Sequence, residues 1–183
     1  MEIKITTKQL LNVLYVIAWI IFIGLCIEAG GIIFNTCYIM FVNESTSNSW
    51  LGSELSGLYQ NDTAHFITVI SCICIVAVMK ALLFYLIVVI LHDKKLNMVQ
   101  PFNSSVGRFI FNLSYLSLGI GLFSLGGVRY LEGLEIEGKE MSNIAQLHLG
   151  GGDVWLFMGV VLLVIAQIFK RGIEIQEEHE LTV

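Results

Sequence analysis

Four long apolar runs decide what this chain can fold into. Leu10–Val42 is apolar apart from Asn12, Glu28 and a few small polar residues. Phe66–Leu91 is broken only by Lys80, and Phe109–Val128 and Val154–Phe169 complete the set. A helix needs about 20 apolar residues to cross the hydrocarbon core of a bilayer. Backbone amides have no water to bond there, so each run has to satisfy its own hydrogen bonds as a helix. Only 14% of the residues are charged, against about 25% in soluble domains. The mean hydropathy is +0.78. The expected fold is therefore an all-α membrane protein, a four-transmembrane-helix bundle. Its spans are expected at about 10–42, 66–91, 108–128 and 153–171, in one membrane domain over 1–183, with a tail at 172–183.

The connecting segments set the expected orientation. The amino end, the loop between spans two and three and the carboxyl end hold Lys4, Lys8, Lys94, Lys95, Arg108, Lys170 and Arg171. The other two loops hold only Arg129 and Lys139. Seven cations against two place both termini inside the cell, because basic loops stay on the cytoplasmic side. The first span is too long for a typical signal peptide and is read as uncleaved. The expected location is a membrane crossed several times, with the lipid bilayer as the first partner.

Two ionisable residues interrupt the spans. Glu28 and Lys80 each face a cost of at least ~2.5–3.5 kcal/mol at the bilayer centre, so such groups usually turn inward and pair. Counting along each helix from its expected cytoplasmic end puts Glu28 roughly 27 Å deep and Lys80 roughly 16 Å deep. The sequence leaves open a buried ion pair, separate snorkelling, or a ligand, ion or proton site between helices. Span three adds a stripe of small residues, Ser114, Ser117, Gly121 and Ser124, at spacings of three and four. Such a face lets helix backbones approach closely in lipid, so it is expected to pack against another span.

No chemistry-bearing constellation emerges. The four cysteines, Cys26, Cys37, Cys72 and Cys74, lie in apolar runs without zinc spacing. They read as small buried hydrophobes, with a disulfide from Cys37 to Cys72 or Cys74 as the alternative. No span carries a central histidine for haem. His65 and His148 sit near the outer segments. The acidic loop Glu132–Glu140 lacks calcium-loop spacing, and GxSxG and phosphate-loop signatures are absent. Gly150-Gly151-Gly152 reads as a flexible hinge, and Asp153 as a cap for the fourth span. The chain is therefore expected to be no enzyme and to carry no cofactor or metal. A net charge of −5 with ten Lys and Arg argues against direct nucleic-acid binding.

The end of the chain is the remaining candidate surface. After Lys170 and Arg171 come Glu174, Glu177, Glu178 and Glu180, with no further cation. The bland reading is a solvated helical extension. The sharper one is a docking segment for a basic cytosolic partner, since complementary charge sets specificity.

Two stretches resemble the bacterial integral-membrane proteins of the DUF2975 family. One comprises Leu91 to Leu96 with Gln100-Pro101-Phe102-Asn103, and the other is the ending from Ala166 to Val183, with its Phe169-Lys170-Arg171-Gly172-Ile173-Glu174 string. The resemblance extends to the layout of the whole chain. It implies four spans, no catalytic residues, and frequent occurrence beside a small helix-turn-helix regulator. The leading expectation is thus a membrane protein with a regulatory or sensory role that holds such a regulator through its tail and the His92–Gly107 loop. The alternative is a small transporter or transport accessory using Glu28 and Lys80, for which four spans are few unless the chain forms a homo-oligomer.

Overall fold

The computed structural model describes residues 7–42, 63–92, 103–136 and 148–180. Four helices account for nearly all of them: α1 (Thr7–Val42), α2 (Thr63–His92), α3 (Ser104–Ile136) and α4 (Gly152–Glu180). Each holds an apolar stretch long enough to cross a bilayer. The loop containing Pro101, the acidic segment beyond Ile136 and the last three residues lie outside the described part.

Successive helices run antiparallel, and extensive contact joins only sequential neighbours: α1 with α2, α2 with α3, and α3 with α4. The bundle is a serpentine whose most intimate pair is α3 and α4. On α3, Arg108 and Arg129 bracket an apolar run of 20 residues, about 30 Å of helix and so one hydrocarbon thickness. The helix itself goes on past Val128 to Ile136.

Small residues explain the α3–α4 contact. A Cβ on Gly159 would stand 2.8 Å from the Leu118 backbone nitrogen. One on Gly121 would meet the Leu156 nitrogen at 2.8 Å and the Gly152 carbonyl oxygen at 2.9 Å. Backbone therefore lies against backbone, which only glycine permits. Ser114, Ser117 and Ser124 are fully buried on the same helix. The Ser114 hydroxyl donates to the Gly159 carbonyl at 2.8 Å, tying the two helices directly. The hydroxyls of Ser117 and Ser124 are buried without a hydrogen-bond partner.

Contact between α2 and α3 depends on complementary shapes. Met79 fills the notch above Gly119. Phe66, Val69, Ile73 and Val76 of α2 form the core with Ile120 and Leu131 of α3. By contrast, α1 touches the bundle along one stripe. Leu11, Tyr15, Ala18, Phe22, Leu25, Ala29, Ile32 and Thr36 are its more covered positions, at alternating spacings of three and four. That is the seam of a helix packed on one partner only. Its other faces are open, with Phe34 74% and Ile20 66% exposed; in a bilayer these faces meet lipid.

Candidate functional site

The α1–α2 seam fixes the level of the two ionisable residues. Tyr15 lies beside His92, with Tyr15 Oη and His92 Nδ1 hydrogen-bonded at 3.0 Å. Seven residues further along α1, Phe22 lies against Tyr85, ring centroids 5.9 Å apart. Continued one step further, the same register brings Glu28 near enough to Lys80 for the two charges to interact. The roughly 10 Å offset counted from the helix ends thus disappears, because α1 and α2 do not end at the same level.

The residue that joins the two charges is His148. Its Nδ1 lies 3.1 Å from Glu28 Oε1, and the Nδ1–H tautomer donates to that carboxylate. Its backbone carbonyl accepts a longer hydrogen bond, 3.4 Å, from Lys80 Nζ. Glu28 and Lys80 therefore converge on His148, which supplies a ring to one and a carbonyl to the other. The site draws on α1, α2 and the connection leading into α4. It is half-covered rather than sealed, with side-chain exposures of 24% for His148 and 39% for Glu28.

Local backbone chemistry places His148 there. Leu149 is fully buried and fills the space over Gly127, where an added Cβ would stand 2.6 Å from Leu149 Cδ1. Gly151 has a positive φ of 77°, a conformation that glycine adopts without strain. This turn folds His148 and Leu149 back against the bundle before α4 begins. Within the glycine run, Gly151 thus makes the corner at which the chain turns into α4. Gly151 also takes the capping position, since its carbonyl accepts from the Trp155 N–H at 3.1 Å. Asp153, expected there, lies instead in the first turn, where its charge still favours the helix dipole.

Two other histidines, His65 and His92, clasp neighbouring helices. His65 Nδ1 bonds the Tyr130 hydroxyl, so α2 is held to α3 at one end and to α1, through His92, at the other. His65 and His148 engage different partners. Among the described residues, no three His, Cys, Asp or Glu side chains gather as a metal site. The four cysteines are free thiols.

The tail continues α4 as helix through Glu180. Arg171 donates to Glu174 at 2.9 Å, so that carboxylate is engaged within the helix. Glu177 and Glu178 are exposed, and Lys170 lies on the accessible surface before them. The side chain of Glu180 is outside the described part.

Glu28 and Lys80 stand out in the sequence as charges within apolar runs, whereas the residue between them does not. His148 sits in a polar connection that hydropathy assigns to the outside. The available signal was Leu149 followed by three glycines, an apolar anchor beside a sharp corner.

A serpentine of four apolar helices with an ionisable cluster among them defines a multi-pass helical membrane protein. Within that class, the chain belongs to the DUF2975 family, whose model is described as a protein of unknown function and matches residues 50–183. The match takes in α2, α3 and α4, and leaves α1 outside. No curated protein and no solved structure matches the chain.

Proposed function

We propose that this protein is a regulatory or sensory component of the bacterial inner membrane, with both termini in the cytoplasm. On this reading, the acidic end of α4 holds a small basic regulator of the helix-turn-helix class away from DNA. The observation that carries it is the unbroken passage of α4 from its apolar stretch into the acidic extension ending at Glu180. A rigid rod presents its charges in fixed positions, which lowers the ordering cost of docking. The charges are also in an unfavourable place. A helix carries negative partial charge at its C-terminus, so carboxylates there destabilise it. A cationic partner relieves that repulsion, which gives the tail a reason to bind.

The seven-to-two excess of cations at the ends and the central loop supports the orientation. The loop around Pro101 is the second surface available to the regulator. Pull-down of the regulator with the full-length protein from membranes is the direct test. Charge reversal by Glu177→Lys with Glu178→Lys is expected to abolish capture and release reporter control. Capture and output unchanged on deleting residues 172–183 would refute the tail reading.

The cluster of Glu28, His148 and Lys80 favours a second reading, a small transporter or transport accessory working as a homo-oligomer. Proton- or ion-coupled proteins place ionisable residues of this kind inside the membrane. Substrate flux or resistance that vanishes in Glu28→Gln, with normal expression and an intact regulator complex, would favour transport over regulation.

A further inference from the structure

At the end of the bundle that carries the tail, α3 and α4 part to form a groove of about 480 Å³. Arg108 and Lys170 stand on its two sides, one from each helix, with Phe111 and Ile173 as its apolar walls. Both cations are exposed. Among the described residues, neither has a carboxylate partner within ion-pair distance. Glu174 also lines the groove, but its carboxylate is bonded to Arg171. Among the described residues, these two cations are thus left uncompensated.

We propose that this groove binds the phosphate headgroup of an anionic phospholipid, with the start of an acyl chain along Phe111. Three features converge on that occupant. First, Arg108 and Lys170 border the apolar runs of α3 and α4, the depth at which a lipid phosphate lies. Second, an arginine offers a planar fork to phosphate oxygens while a lysine adds a point charge, and the N-terminus of α3 contributes further positive field. Third, the apolar wall continues from Phe111 to Tyr115, whose rings stack 6.2 Å apart along the course a lipid chain would follow. Gly107 keeps the floor open: an added Cβ there would press on Ile173 Cδ1 at 3.3 Å. A soluble anion would use the cations but not the apolar walls. The groove shares Ile173 and Glu174 with the tail, but Glu177 and Glu178, the carboxylates reversed in the docking test, lie outside its lining.

The test uses full-length protein in nanodiscs of phosphatidylcholine doped with phosphatidylglycerol, with the retained lipid counted by native mass spectrometry. Wild-type protein is expected to retain phosphatidylglycerol selectively. Arg108→Gln with Lys170→Gln is expected to weaken retention roughly 30-fold, about fivefold for each cation. Arg108→Lys with Lys170→Arg keeps the charges and retains most of it, which separates loss of the site from loss of fold. Arg129→Gln, at the opposite end of α3, leaves retention unchanged. Equal retention of the two lipids, or retention insensitive to the double Gln variant, overturns the proposal. So does displacement of the lipid by millimolar inorganic phosphate, which would make the groove a site for free anions.

Discussion

The two ends of the chain meet the bilayer on different terms. Around Gly121, Gly152 and Gly159 the α3–α4 pair brings backbone against backbone and leaves no room for lipid. The first helix, α1, is covered along one stripe and open elsewhere. Burying apolar surface drives little association when the solvent is itself apolar, so close packing and interhelical hydrogen bonds remain. The α3–α4 contact is built from both. On α1 the directional contacts include the Tyr15–His92 bond and the contact between Glu28 and His148. One pair is held by shape where its backbones meet, the other by polar contacts at separate levels. The family match, which begins at residue 50, covers all of the tightly packed part and none of α1.

Substitutions that add side chain at the glycines should separate the two regions most sharply. Gly159→Leu or Gly121→Leu forces backbone from backbone, and overpacking of this kind typically costs ~1–3 kcal/mol or more. Loss of monodisperse folded protein, or a large fall in thermal midpoint, is the expected outcome by size exclusion and melting. Gly24→Leu and Gly30→Leu on α1 have nothing within 4 Å of an added Cβ and should leave the midpoint nearly unchanged. Equal sensitivity at all four positions would mean that α1 has a close neighbour of its own.

The ionisable cluster comes next. Glu28→Ala leaves His148 without its carboxylate and Lys80 without the nearby negative charge. Loss of a charged hydrogen-bond partner costs ~1.5–3 kcal/mol, and the loss should fall on α1 first. Cleavage within α1 by an added protease, with α3–α4 still protected, is the measurement. Glu28→Ala combined with Lys80→Met should recover part of the loss, because the unpaired cation goes too. A double variant as weak as the sum of the single ones would show that the two charges do not communicate through His148.

How far these features were legible in the sequence depended on their range. The four helices follow from sustained apolar length, and the close α3 face from the spacing of Ser114, Ser117, Gly121 and Ser124. Both are properties of a single segment. His148 was not legible, because its role depends on how the chain returns at Gly151 and on a register set by Tyr15 and Phe22 against His92 and Tyr85. Nor did the pattern distinguish the serines from one another. Spacing put three hydroxyls on one face, but only Ser114 finds a carbonyl across the interface.

That distinction gives a smaller prediction. Ser114→Ala removes a hydrogen bond of a kind worth ~0.6 kcal/mol on average inside a bilayer. It leaves the Gly159 carbonyl with its intrahelical role, so the bundle should remain folded with a slightly lower melting point. Ser117→Ala removes a buried hydroxyl that has no partner, and should be neutral or slightly stabilising. Reversal of that order would indicate that Ser117 is satisfied by water or a ligand in the membrane.

The smallest effect belongs to the open face of α1. Phe34→Ala and Ile20→Ala remove large side chains, which in a soluble core would cost ~2–5 kcal/mol. Here both states of the side chain face hydrocarbon, and no cavity forms because lipid fills the space. The thermal midpoint should move little, roughly within the ±0.5 kcal/mol typical of surface changes. A drop comparable with that of Gly159→Leu would mean that α1 packs against protein in the membrane, a second copy being the simplest source. The same measurement at low and high protein-to-lipid ratio decides between them, since only a contact between copies depends on concentration.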